Sequence, residues 1–319
     1  MKGMGQLLKL QDYVSRYEQD VYRYPTQYVR LKKQKWSNLH QLFVEGKLYE
    51  LYVDEQEESW IPEKVTLFDK LKKVMRKKEE EETVQHEPQK QEELRFTFQV
   101  IPKTEEELKQ AFLNQLFLFQ MKWATSTIRE RSFVDYSYYD DERLKFLLQR
   151  FPDTFLAMYQ PVFQWKKAPV EAETIILTPT AAWCVSFLEE EEETVYVGNR
   201  EKFWTMRHHK HGESKVLNPH IALQRTEWLM KQIFSLYDVE LPIKKAIISR
   251  NGYIDSIGAF DLYILDKKTF PQWHQSMRNL SSPLKHQQLK AAEALLDYSQ
   301  TTSTMRAEWR EEAVSMNEE

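Results

Sequence analysis

Apolar positions along this chain change their rhythm near its middle. Residues 1–75 are poor in glycine and dense in charged and aromatic side chains, which predicts a mainly helical N-terminal region. Pro25, in Tyr24-Pro25-Thr26, should end one helix and start the next. The basic run Arg30-Leu31-Lys32-Lys33-Gln34-Lys35-Trp36 is expected to form a solvated helix face. From residue 76 to 93 the pattern vanishes into Arg-Lys-Lys, four glutamates and a polar segment broken by Pro88, which predicts a charged linker.

Residues 94–300 are expected to form an α/β domain, and residues 301–319 a loose polar tail. Leu94 to Val100 alternates as a strand does. Thr104 followed by Glu107 is a capping box, and the helix it opens should bury Leu108, Phe112, Leu116, Phe119 and Trp123. A second helix covers 141–150 and stops at Pro152, and a strand follows around Phe155 to Tyr159. Glu171 to Leu177 then forms a carboxylate-bearing strand ending at Thr178-Pro179, and Ala182 to Leu188 forms an apolar strand directly after it. Thr194–Val197 and Phe203–Met206 predict a hairpin around Gly198-Asn199.

Asn218-Pro219 opens a helix, since Asn caps free N–H groups and Pro at the first position has none to lose. Its apolar face is expected at Ile221, Trp228, Leu229, Ile233 and Leu236. Strands at 246–249 and 262–265 and a helix at 283–297 complete a mixed sheet flanked by helices.

Composition narrows the function classes. Nine Trp, sixteen Tyr and seventeen Phe in 319 residues supply a substantial core. The net charge of −4 gives no global attraction to nucleic acid or membrane. A single cysteine, Cys184, excludes an intramolecular disulfide and a cysteine-rich zinc site. With no signal-like start and no run of about 18 apolar residues, the expectation is a cytoplasmic protein without membrane insertion. Neither a glycine-rich phosphate loop nor a Gly-x-Ser-x-Gly elbow is present.

The order from residue 171 onward resembles the nuclease-related domain family, a branch of the restriction-endonuclease-like superfamily, over roughly residues 130–280. The acidic strand ending in Thr178-Pro179, the apolar strand, a glutamate-rich loop, the hairpin with Trp204, Asn218-Pro219 and the Ile247-Ile248-Ser249 strand carry the resemblance. It implies an Asp on the first strand and Glu-x-Lys on the second, with a divalent metal held by the carboxylates and water oriented by the lysine. In this register the Asp position is Glu173, the Glu position Ser186 and the Lys position Leu188; Ala222 stands where the family helix carries glutamine, with Gln224 further on. The resemblance therefore implies a degenerate member.

As a structural residue, Glu173 is expected to be a strand-edge carboxylate facing solvent, with Ser186 and Leu188 on the face of Cys184. The leading expectation is a non-catalytic binding or scaffold module for a protein or nucleic-acid partner, with no cofactor. The alternative is a nuclease using Mg or Mn with rearranged ligands Glu171, Glu173 and Glu189; a third reading makes the helical N-terminal region an adaptor. Glu189 to Glu193 should form an acidic loop that repels phosphate. Arg207-His208-His209-Lys210-His211 offers three imidazoles but no cysteine or spaced acid to complete a zinc site. It is expected to be a basic turn that contacts an anion or acidic partner.

Overall fold

The computed structural model describes residues 3–52, 94, 96–256, 261–307 and 309. The linker expected at 76–93 lies outside the described residues. Among those described, the chain is mixed α/β, with seven α-helices and a six-stranded mixed sheet. Among the described residues, no helix is long and apolar enough to cross a membrane.

The six-stranded sheet runs β1 (Gln6–Leu10), β3 (Leu156–Tyr159), β6 (Thr174–Leu177), β7 (Ala182–Phe187), β11 (Ile243–Ile248) and β13 (Tyr263–Leu265). β1 is parallel to β3, β6 is antiparallel to both its neighbours, and β7, β11 and β13 are parallel. β1, β3 and β6 are buried along their whole length, which fits their mostly apolar sequences; Gln6, Lys9 and Thr174 are buried with them. β1 corrects the helical expectation for residues 1–75. Five residues, three of them leucine, do not reveal a period, so they fit a buried strand as well as a helix turn.

A four-stranded sheet joins β10 (Gly212–Leu217), β9 (Phe203–His208), β8 (Val195–Gly198) and β12 (Tyr253–Ser256) in that order. The expected β8–β9 hairpin is present. Two small ladders pair β4 (Val162–Trp165) with β5 (Ala168–Glu171), and β2 (Glu130–Arg131) with β14 (Thr304–Met305). The last of these corrects the loose tail as far as Met305.

The helices are α1 (Tyr24–Val44), α2 (Glu105–Trp123), α3 (Ser137–Asp140), α4 (Glu142–Arg150), α5 (Pro219–Leu236), α6 (Phe270–Arg278) and α7 (His286–Asp297). The α2 capping box forms, with the Glu107 N–H donating to Thr104 Oγ1 at 3.1 Å, and all five expected positions of that helix are buried. Lys32 departs from a solvated face. It is buried, and its ammonium donates to Asp153 at 2.5 Å and to the Gly3 carbonyl at 3.0 Å.

Residues 1–35 and 113–319 form one compact unit and residues 36–112 another. The boundary drawn at residue 93 therefore moves into α1 and α2, whose sequences carry no helix breaker where the units divide. In the smaller unit, Leu94, Phe96 and Phe98 are buried as their alternation required, yet they form no strand beyond one bridge between Phe98 and Tyr52. Phe96 stacks on Phe112 at 4.9 Å, so packing on a helix, not a ladder, accounts for the alternation.

α5 begins as its sequence demands: Asn218 Oδ1 accepts from the His220 N–H at 3.0 Å and Pro219 sits in the first turn. The buried stripe is Leu223, Thr226, Leu229, Met230, Ile233 and Phe234, whereas Ile221, Trp228 and Leu236 are exposed. The helix carries apolar residues on more than one face, and only the stripe through Met230, whose sulfur lies 3.3 Å from Cys184 Sγ, meets the sheet. Trp228 instead packs edge-on against Trp165 at 5.8 Å.

Candidate functional site

Pairing of β6 with β7 and of β7 with β11 sets the candidate site. Thr174 is registered with Val185, so Glu173 falls beside Ser186, and Lys245 is registered with Cys184. Because alternate residues share a face, Glu173, Cys184, Ser186 and Lys245 line the side covered by α5. The Glu173 backbone N–H donates to Thr226 Oγ1 at 2.9 Å, and Thr226 in turn donates to the Ala222 carbonyl at 3.0 Å.

The solvent-facing expectation for Glu173 is corrected. Its residue is partly buried, and its carboxyl is hydrogen-bonded to Ser186. Burial pushes the carboxyl above the ordinary value, while the Ser186 bond and the Arg225 charge act against that rise. Leu188 is buried, and its N–H donates to the Ile248 carbonyl at 2.8 Å. Burial also raises the thiol of Cys184, which fits a structural cysteine.

Two neighbours belong to this wall and were not anticipated. Lys245 is buried and contacts Glu227 of α5 at 2.5 Å, and Lys231 reaches the same carboxylate at 2.8 Å. Burial works to raise Glu227, but the two lysine bonds outweigh it and hold the carboxyl below its usual range. Counting back by two from the buried Ile247 would have turned Lys245 inward and flagged it.

Glu173 carries a consequence for stability. An acid whose folded-state pKa is raised favours folding below its unfolded value, and that contribution is lost as pH rises through the folded value. Glu173→Gln should therefore raise the thermal midpoint at about pH 7, with the gap from the parent closing towards about pH 4. A gap independent of pH, read from melting curves, would contradict this account.

The other proposed carboxylates do not join Glu173. Glu171 is exposed at the end of β5, in a separate hairpin and not on the strand of Thr174–Leu177. Glu189 is inaccessible, with a side chain only 7% exposed. Arg250 Nε and Nη2 donate to its two oxygens at 2.5 and 2.7 Å, and Arg143 donates to its carbonyl at 2.6 Å.

Nor is the acidic loop a free anionic surface. Glu189 is paired with Arg250, Glu193 with Lys267, and Glu191 lies against two histidines. Gly252 allows this loop to close, because a Cβ there would lie 2.5 Å from the Thr194 carbonyl oxygen.

Of the run expected to form a basic turn, Arg207 and His208 instead end β9, with the His208 side chain largely buried, and His209, Lys210 and His211 lie in the turn to β10. Arg207 bonds Glu213 across the β9–β10 ladder at 2.7 Å. The expectation that no acid faces the histidines is corrected: Glu191 Oε2 lies 3.5 Å from His208 Nδ1 and 3.1 Å from His211 Nε2. Val195 is registered with Arg207, so the segment before β8 necessarily runs beside the turn after β9. Among the described residues, Glu191, His208 and His211 form the one convergent group of three or more metal-ligating side chains.

No protein-family model and no solved structure matches the chain. An RNA 2′,3′-cyclic phosphodiesterase of Geobacillus stearothermophilus is 63% identical to it over 35 residues, 11% of this chain and 11% of that protein. The matched stretch thus spans about a tenth of that relative.

Proposed function

We propose that the six-stranded sheet is a restriction-endonuclease-like core without nuclease chemistry, serving as a binding or scaffold module for a protein or nucleic-acid partner. One observation carries this reading. Where metal-assisted hydrolysis needs an ionised carboxylate and a water-orienting lysine, the wall offers Glu173 bonded to Ser186 and a buried Leu188. A partly buried carboxyl with a raised pKa is a poor anchor for a divalent cation.

A metal-dependent nuclease with rearranged ligands is the second reading, favoured by Lys245 on the sheet face of Glu173 and by Glu227 on the helix that covers it. Against it, the Glu227 carboxylate is already held by two lysines.

One assay separates the two. The full chain is incubated with magnesium or manganese and with single- and double-stranded DNA and RNA. An RNA ending in a 2′,3′-cyclic phosphate is included because the partial match is to an enzyme of that name. The expected outcome is no turnover of any substrate. Cleavage that disappears in Glu173→Ala would overturn the non-catalytic reading.

A further inference from the structure

The second cluster lies away from the strand pair and does not depend on the reading given to it. β8 and β9 run antiparallel, so Glu191, four residues before β8, is folded back onto His208 at the end of β9. The turn after β9 then brings His211 over the same carboxylate, with the imidazoles of His208 and His211 stacked at 5.2 Å. All three ligand atoms lie within 4.8 Å of one another.

These separations suit a tetrahedral ion. Metal–ligand bonds of about 2.0–2.2 Å set neighbouring ligand atoms roughly 3.3–3.5 Å apart, and Glu191 Oε2 is 3.1 and 3.5 Å from the two nitrogens. His208 Nδ1 also accepts a long hydrogen bond of 3.3 Å from the Lys210 N–H, so the nitrogen facing Glu191 presents its lone pair. A lone pair and a carboxylate oxygen facing each other at 3.5 Å repel unless a proton or a metal ion stands between them. A metal would replace the weak Lys210 bond.

The His208 side chain is 7% exposed and anchors the group, while Glu191 and His211 are 55% and 64% exposed. We propose that Glu191, His208 and His211 form a three-ligand site for a divalent transition cation of the zinc class, with its fourth position open to solvent. Two imidazoles and one carboxylate favour zinc over magnesium or calcium, which take oxygen ligands.

The test is binding of zinc, and of cobalt as a visible probe, to the full chain without an affinity tag. Calorimetry should give one ion per chain, and cobalt should show the absorption of a four-coordinate site. Glu191→Gln and His211→Ala alter exposed side chains, so both should keep the native circular dichroism while losing at least about tenfold in affinity. A native chain that binds no zinc, or native affinity in both variants, overturns the proposal. The readout is binding, so failure here leaves the strand-pair reading untouched.

Discussion

Replacing Trp204 with alanine should destabilise the protein by about 3–5 kcal/mol, the range for deleting a large aromatic from a packed interior. The ring is fully buried in the four-stranded sheet, and its Nε1–H donates to the Asn199 carbonyl at 3.0 Å. Gly198 makes room for it, since a Cβ at that position would lie 2.9 Å from the ring. The same turn is tied to α5, where Asn218 Nδ2 donates to the Glu201 carbonyl at 2.9 Å. Loss of the ring therefore loosens the hairpin and the helix cap together. Trp204→Phe keeps most of the apolar contact and forfeits the hydrogen bond, so it should cost about 1 kcal/mol from that bond plus a smaller packing loss. Denaturant titrations of both variants measure this; an alanine variant within about 1 kcal/mol of the parent would sink it.

Glu189→Ala is expected to cost about 3–5 kcal/mol, because it strips the partner from a guanidinium held in a largely desolvated site. Arg250 is 23% exposed and lies over Phe146 at 4.3 Å. It cannot swing freely into water without abandoning that ring. The double variant Glu189→Ala with Arg250→Ala should lose less than the sum of the two single losses. Additive losses in a double-mutant cycle would show that the pair acts as two independent packing residues. The contrast with exposed pairs such as Arg207–Glu213 is one of solvent, since water screens the latter and leaves it worth little.

Legibility in the sequence followed burial and sequence distance. The strands around Ile175 and Val185 could be read because both are continuous apolar runs bounded by turns, and α5 because its cap is local chemistry. β10 could not: Gly212 to Leu217 is mostly exposed, and only its ladder with β9 makes it a strand. α6 had a signal in the spacing of Phe270, Trp273 and Met277 behind Pro271, all three of which are buried. At the candidate sites, counting from Thr178-Pro179 marked Glu173 and Ser186 as positions on successive strands, but their hydrogen bond follows from the β6–β7 pairing, which no local pattern gives. The pairing of Glu191 with His208 and His211 depends on how the hairpin and the acidic loop close. No local periodicity encodes that closure.

β1 has a consequence for how the chain acquires its structure. Gln6 is registered with Leu156, 150 positions later, and Thr302 closes against Asp12 with an N–H···O bond of 2.7 Å. During synthesis β1 is thus left without its ladder until about 150 further residues have followed. Its flanking contact with Thr302 must wait for about 290 residues after Asp12. Such long closures slow folding and leave a leucine-rich edge, Leu7-Leu8-Lys9-Leu10, open to wrong pairing in the interval. The nascent chain is most vulnerable at the residues that end up among the most deeply buried.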